Sequence, residues 1–185
     1  MPKLFIAIAL PPAVTAELAV VQPPRAAGVR LVREGQMHLT LHYLGPANLA
    51  GVATALEEVA VASFPLVIEG VGQFPSAGGA VTLWAGVRDS PELHGLHAAV
   101  AAALAPLGFR PEARPYAPHV TLARCEPKAA ARVVDDFLFL NAALSLPPFT
   151  VESFGLYSSQ TIDGSPAYRR ERSFPLHAPE DGGAA

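Results

Sequence analysis

Cysteine is nearly absent from this sequence: Cys125 is the single one among 185 residues. A lone cysteine excludes an internal disulfide and any zinc site built from several thiolates. The N-terminal region also lacks a long apolar run. Its one apolar run, residues 4–10, is too short to span a bilayer and has no signal-peptide cleavage pattern. We therefore expect this run to be a strand, and the protein to be cytoplasmic with no membrane partner.

Positive charge is scarce as well, with 13 lysines and arginines against 16 acidic residues and a formal net charge of −3. Proteins that hold long nucleic acids usually carry a basic stripe that contacts many phosphates. The charge balance argues against that mode, so a nucleic-acid substrate would be bound as a short piece or an end. The last nine residues, HAPEDGGAA, lack apolar spacing, and 177–185 is predicted to be a C-terminal tail.

Helical and extended patterns alternate along the chain, which indicates an α+β or α/β fold. The spacing predicts helices over 12–21, 49–62, 91–104 and 129–140, the second with Asn48 as its N-cap. It predicts strands over 4–10, 37–44, 66–71, 80–87, 119–124, 150–158 and 168–176.

The same elements occur twice in the same order. GVR at 28–30 corresponds to GFR at 108–110, HLTL at 38–41 to HVTL at 119–122, and FPLVIEGVGQF at 64–74 to FTVESFGLY at 149–157. The offset between the copies changes only from 80 to 83 residues, which chance matches rarely achieve. We predict one catalytic domain over 1–176, built as a pseudo-symmetric pair of lobes from two related halves, about 1–78 and 79–176.

The two His-x-Thr motifs suit reactions at phosphorus. Side chains two residues apart on a strand share one face, so His38 lies with Thr40 and His119 with Thr121. One imidazole could accept a proton from the attacking oxygen while the other protonates the leaving oxygen, since an ordinary histidine pKa is about 6.5. The threonine hydroxyls could bind the phosphate. Neither motif has an acidic residue within two positions, as metal sites usually do, so we expect no metal.

The paired HxTL motifs resemble those of the 2H phosphoesterase superfamily, and the chain looks most similar to its RNA 2',3'-cyclic phosphodiesterases, also called 2'-5' RNA ligases. Four stretches carry the resemblance: LFIAIALP, HLTLHYLG, YAPHVTLAR and VESFGLYSS. The resemblance implies an α+β, bilobal fold of antiparallel-dominated sheets with flanking helices around a central cleft, and no cofactor.

The resemblance also implies roles for the motif residues. His38 would be the proton donor and His119 the proton acceptor, while Thr40 and Thr121 would hold the phosphate. The substrate would be an RNA 3' end or a small nucleotide that carries a 2',3'-cyclic phosphate, and the product a 2'-phosphate. Reversal would join such an end to a 5'-hydroxyl. We expect a monomer.

Two further polar residues follow the motifs. Arg124 could bind phosphate through its planar guanidinium, but strict alternation points it away from His119 unless the strand bulges. His42 falls on the face of His38, yet the second copy has Ala123 in its place, so we expect His42 at the cleft rim or in solvent.

His94 and His97 lie three residues apart on a predicted helix, a spacing that can bind metal. Without a third ligand nearby, a solvated helix face is the simpler expectation. Four aromatic residues could stack on a terminal base, although core or loop packing is expected for each: Tyr43, Phe74, Tyr116 and Tyr157.

Two other functions stay open at this level. One is a 2H enzyme with a different substrate, such as a small cyclic nucleotide or a 2'-5' oligonucleotide. The other is a module that binds RNA ends without turnover. The second is disfavoured because both HxTL motifs are complete.

Overall fold

The computed structural model describes residues 1–110, 113–162 and 165–178. The α-helices in these ranges are α1 (Pro12–Val21), α2 (Leu49–Leu56), α3 (Pro91–Leu104) and α4 (Pro127–Leu140). The strands are β1 (Lys3–Ala9), β2 (Val29–Leu31), β3 (His38–Pro46), β4 (Phe64–Leu66), β5 (Ile68–Pro75), β6 (Val81–Val87), β7 (His119–Cys125), β8 (Phe149–Val151), β9 (Ser153–Ile162) and β10 (Ser165–Pro175).

Eight strands form one sheet in the order β10-β9-β1-β3-β7-β6-β5, with β2 paired to β7. The remaining strands, β4 and β8, pair with each other. Every pairing between these strands is antiparallel. The prediction of an α+β fold with antiparallel-dominated sheets is confirmed.

The two predicted halves of the chain exchange strands within the sheet. β1 and β3 come from the first half, but β1 pairs with β9 of the second half. In the mirrored arrangement, β6 and β7 of the second half pair with β5 and β2 of the first. The equivalent strands β4 and β8 pair with one another. Each side of the sheet therefore contains elements of both halves, and the division at residue 78 stays a prediction.

The centre of the sheet lies where β3 and β7 are neighbours. The apolar residues of the two motifs, Leu39, Leu41, Val120 and Leu122, are at most 3% exposed. Burying a side chain of this size contributes roughly 1.5–3 kcal/mol. Because these apolar side chains are buried on one face of the sheet, the histidines and threonines of the two motifs lie on the other face.

The helix boundaries follow the sequence closely where local signals decide them. α1 and α3 have the predicted bounds, and the Asn48 side chain caps α2 by accepting a 3.1 Å hydrogen bond from the Gly51 amide. The predicted helix over 49–62 is too long, however, because α2 ends at Leu56. The backbone beyond it is engaged elsewhere, since Val61 and Ser63 hydrogen-bond the backbone of His177.

The same pairing involves the first residue of the predicted tail, because the backbone of His177 hydrogen-bonds Val61 and Ser63. Residues 179–185 lie outside the described residues, so the tail over 177–185 stays a prediction. Within the described part of the chain, no helix has both the length and the apolar character needed to cross a membrane.

Candidate active site

The two His-x-Thr motifs meet at the centre of the sheet. Leu39 of β3 pairs with Val120 of β7. In an antiparallel pair, this register brings His38 to the side of Thr121 and Thr40 to the side of His119. These four polar residues and Arg124 line one cavity of about 1480 Å³. The structure therefore brings all five predicted site residues to the same cavity.

Both imidazole rings are held by a backbone carbonyl two residues earlier. Nδ1 of His38 lies 2.7 Å from the carbonyl oxygen of Gln36, and Nδ1 of His119 lies 2.9 Å from that of Ala117. A carbonyl only accepts hydrogen bonds, so each Nδ1 must carry its proton. Each Nε2 is thereby left to exchange a proton with a ligand: it accepts one when the ring is neutral and donates one when the ring is charged.

Aromatic rings flank the two histidines in a similar way. The ring centroids lie 4.9 Å (Phe5) and 5.2 Å (Tyr168) from that of His38, and 4.9 Å (Phe74) and 6.2 Å (Trp84) from that of His119. These ring contacts restrict the orientation of each imidazole. Phe5, Trp84 and Tyr168 were not among the residues singled out from the sequence, where an aromatic residue in a strand carries no positional signal.

The pKa of His38 is lowered, chiefly because burial disfavours the charged imidazole. The hydrogen bond to the Gln36 carbonyl acts in the opposite direction and raises it. Positive charge at His119 and Arg124 lowers it further. In the free protein, His38 is therefore held toward its neutral form.

A β-bulge brings Arg124 into the cavity. The register with β6 passes from Thr121 directly to Ala123, so Leu122 is an extra residue on β7. Leu122 and Ala123 are both buried, and alternation resumes one residue late. Arg124 therefore faces the same cavity as His119. Strict alternation, which points Arg124 away from the cavity, is wrong at this position.

The equivalent bulge in β3 keeps His42 out of the cavity that Arg124 lines. The register with β1 passes from Thr40 to His42, which leaves Leu41 as the extra residue. His42 faces α3, where its Nε2 donates a 2.9 Å hydrogen bond to the carbonyl oxygen of His97. His42 is half-buried and lines a neighbouring cavity of about 350 Å³ together with Thr40 and His119, so its expected place at the cleft rim or in solvent stays a prediction. Tyr43 takes the position equivalent to Arg124, lines the cavity and is 59% exposed.

The expectation of a solvated helix face is wrong for His97. Its ring stacks between His42 and Tyr116, with centroid distances of 4.2 and 3.9 Å. Burial, and then the charges of His42 and His94, lower the pKa of His97 to about 4. His94 is solvent-exposed as expected and lies 3.5 Å from an Asp89 carboxylate oxygen. Over the described ranges, no three potential ligands cluster closely enough to hold a metal ion.

The four candidate stacking residues have different surroundings. Tyr116 packs on His97 and donates a 2.9 Å hydrogen bond to the carbonyl oxygen of Thr40. Tyr157 stacks on Phe5 at 5.2 Å. Packing therefore accounts for both tyrosines, whereas Phe74 contacts His119 and Tyr43 is exposed at the cavity.

Comparison with known proteins agrees with this geometry. The model of the 2'-5' RNA ligase superfamily matches residues 10–163. The chain belongs to this superfamily. Family membership confirms the resemblance to the 2H phosphoesterases that the paired motifs indicate.

Several relatives carry the name RNA 2',3'-cyclic phosphodiesterase, and two of them match 80% or more of this chain. The protein of Geobacillus stearothermophilus is 33% identical over 156 residues, which are 82% of this chain and 49% of that protein. The protein of Archaeoglobus fulgidus is 32% identical over 150 residues, 80% of this chain and 84% of that protein. The chain thus spans about half the length of the first relative and most of the second.

Solved structures of other proteins have the same fold. A crystal structure from Thermus thermophilus superimposes with a TM-score of 0.79 at 26% identity, covering 96% of this chain and 99% of that one. Escherichia coli LigT complexed with 3'-AMP has a TM-score of 0.72 at 24% identity, covering 95% and 98%. The shared architecture supports the fold described above.

The cavity has a second group of residues that the motifs do not include. Arg25, Arg30 and Arg33 line it from the segment between α1 and β3. The sequence offered one signal, namely three arginines within nine residues of an acidic chain, immediately before the first superfamily motif.

Proposed function

We propose that the chain hydrolyses 2',3'-cyclic phosphates at RNA 3' ends to 2'-phosphates, with His38 and His119 as the acid-base pair. One observation carries the proposal: two imidazoles with Nδ1 held by a carbonyl present their free Nε2 atoms in one cavity. The names of the Geobacillus and Archaeoglobus relatives support the substrate class.

His119 acts as the proton acceptor in this mechanism. Its neutral Nε2 takes a proton from a water molecule as the water oxygen attacks phosphorus. The bond between phosphorus and the ribose 3' oxygen breaks, and the electron pair stays on that oxygen. His38, in its charged form, gives its Nε2 proton to the departing oxygen. The product has a 2'-phosphate and a 3'-hydroxyl, and the pair has exchanged its protonation states.

Thr40, Thr121 and Arg124 bind the phosphate in this proposal. Hydroxyl groups donate hydrogen bonds to the non-bridging oxygens, where negative charge increases in the transition state. The guanidinium of Arg124 can bind two of these oxygens at once. The bulge at Leu122 gives Arg124 its access to the cavity.

The lowered pKa of His38 has a consequence for the cycle. A donor must be charged, and in the free protein burial and nearby positive charge disfavour that form. A bound cyclic phosphate carries a negative charge and has the opposite effect, so the pKa of His38 rises when substrate binds. In this proposal, His38 therefore becomes protonated, and able to act as the acid, when the substrate binds.

The same residues can catalyse a joining reaction. If the 5'-hydroxyl of a second RNA attacks phosphorus in place of water, the product is a 2'-5' linkage, and the two histidines make the same proton transfers. Water is far more concentrated than RNA 5' ends, so hydrolysis is the favoured direction. We further propose a monomer that acts in the cytoplasm.

The test is incubation with an RNA that ends in a 2',3'-cyclic phosphate, with and without EDTA. Formation of a 2'-phosphate product that is insensitive to EDTA is the expected result. Turnover of other phosphodiesters only would instead indicate a 2H enzyme with a different substrate. Binding without turnover would contradict the proposal and indicate an RNA-end binding module.

A further inference from the structure

The catalytic cavity continues into an arginine-rich wall. Arg25, Arg30 and Arg33 line it together with Arg124, whereas Glu34 is the one carboxylate among the described lining residues. None of the four arginines forms an ion pair with a carboxylate in the described part of the chain. The excess of positive charge is local, because the chain as a whole has a net charge of −3.

Two of these arginines are directly opposite each other on paired strands. Arg30 of β2 is the register partner of Arg124 of β7. Like charges in directly opposed positions of an antiparallel pair destabilise it. Both side chains line the cavity, where a bound anion would offset the repulsion. The pairing therefore indicates a site for negative charge that extends from Arg124 toward Arg30.

The arginine segment is firmly attached to the catalytic strand. The side-chain amide of Gln22 donates hydrogen bonds of 2.7 Å to the carbonyl of Val32 and 2.8 Å to that of Leu122. The Glu126 backbone amide donates a 2.8 Å bond to the Gly28 carbonyl. The backbone that carries the arginines is thus fixed relative to β7 before any ligand binds.

We infer that Arg30, together with Arg25 and Arg33, binds the phosphodiesters that precede the cyclic end and thereby raises kcat/KM for an RNA end above that for a mononucleotide. This inference rests on the proposed function. A strand that ends in a cyclic phosphate continues only in the 5' direction. In hydrolysis, where water is the other reactant, any anion beyond the reacting phosphate is therefore a phosphodiester of the preceding nucleotides, for which arginine is a common partner.

The experiment compares two substrates with the same terminal nucleoside. One is a nucleoside 2',3'-cyclic monophosphate, and the other a short oligoribonucleotide with a 2',3'-cyclic phosphate end. We expect the wild type to have the higher kcat/KM for the oligonucleotide. Arg30→Gln should reduce this preference about tenfold, the size expected for one charged hydrogen-bonded contact. Arg132→Gln, which removes an exposed arginine of α4 outside the cavity, should keep the preference.

Salt dependence and thermal stability give independent readouts. The salt slope of log kcat/KM for the oligonucleotide should fall by about one for Arg30→Gln. The melting temperature of this variant without ligand should equal or exceed that of the wild type, because the repulsion between Arg30 and Arg124 is removed. Should Arg30→Gln fail to fold, Arg33→Gln serves in the same comparison.

The outcomes separate the inference from the function on which it rests. A wild type that hydrolyses both substrates with equal kcat/KM overturns the inference but not the proposed function. If Arg30→Gln and Arg33→Gln both keep the wild-type preference for the oligonucleotide, the inference is also overturned and the proposed function is not. A wild type that hydrolyses neither substrate refutes the proposed function, and the inference falls with it.

Discussion

The hydroxyl of Tyr116 donates a 2.9 Å hydrogen bond to the backbone carbonyl of Thr40. Tyr116 lies three residues before His119, whereas Thr40 belongs to the other His-x-Thr motif, so this bond joins the two motifs. Burial raises the pKa of Tyr116 above its usual range and keeps the hydroxyl protonated as a donor. The side chain is therefore suited to hold the motifs in a constant relative position.

Tyr116→Phe should destabilise the protein by about 1 kcal/mol, because the carbonyl of Thr40 loses its donor while the stacking on His97 remains. Denaturant unfolding measures this change. Tyr43→Phe is the matched control, since the side chain of Tyr43 is 59% exposed and its hydroxyl is not needed to satisfy a buried carbonyl. Equal unfolding midpoints for Tyr116→Phe and the wild type would contradict the role given to this bond.

His38→Ala and His119→Ala should each reduce kcat on a cyclic phosphate by about 100-fold or more, because each removes one of the two proton transfers. The double variant should lose far less than the product of the two single losses, since the pair acts as a unit. Steady-state kinetics gives the comparison, with His177→Ala, an exposed residue outside the cavity, as the control. A near-normal rate for either single variant would exclude the paired-histidine mechanism.

A better leaving group should distinguish the acid from the base. A nucleoside p-nitrophenyl phosphodiester releases a phenolate that needs little protonation, so loss of the proton donor should matter less on this substrate than on a cyclic phosphate. We expect the kcat loss of His38→Ala to shrink on this substrate, while that of His119→Ala stays large. If the loss shrinks for His119→Ala instead, the two roles are exchanged.

The stacked His97 should make stability sensitive to acid. Its pKa is about 4 in the folded protein against 6.5 for a free histidine. Between these values the unfolded chain binds a proton that the folded protein does not, so the free energy of unfolding decreases as the pH falls through this window. His97→Phe retains a stacking ring but cannot titrate, and should show a smaller decrease in denaturant unfolding between pH 6.5 and 4.

The contribution of His97 can be separated from that of other histidines. His38, whose pKa is also lowered, should leave part of the acid sensitivity in His97→Phe. The control His177→Ala removes an exposed histidine and should retain the wild-type decrease. If the free energy of unfolding has the same pH dependence in His97→Phe and in the wild type, His97 has the same pKa in the folded and the unfolded state.

Gly72 provides the space for the indole ring next to His119. A Cβ at this position would lie 2.2 Å from the Trp84 ring. Gly72→Ala should therefore displace the indole, destabilise the protein by about 1–3 kcal/mol and lower kcat through His119. Gly95→Ala on α3 is the control, because nothing lies within 4 Å of the added methyl, and a helical alanine should stabilise by about 0.5–1 kcal/mol. Equal stability of the two variants would contradict this role of Gly72.

Local chemistry accounts for what could be predicted from the sequence. The Pro-initiated helices and the Asn48 cap follow from backbone requirements that involve only neighbouring residues. The sharing of one face by His38 and Thr40 follows from strand geometry. Their duplication at His119 and Thr121 indicated a two-histidine site, because one acid and one base are what displacement at phosphorus requires.

Strand pairing determined two side-chain orientations that could not be predicted from the sequence. Alternation failed after Leu41 and Leu122, because a bulge depends on the register with a neighbouring strand rather than on the bulged residues themselves. One bulge turned Arg124 into the cavity, and the other turned His42 toward α3. A one-residue shift moves a side chain to the other face of a sheet.

Tertiary contacts also decided which charges came together. His97 stacks on His42 because α3 packs against β3, and the segment that follows α2 pairs with His177. The opposition of Arg30 and Arg124 joins residues 94 positions apart. The sequence by itself determined which groups could perform the chemistry, while the register of the sheet determined which of them share the cavity, because that register depends on all the strands together.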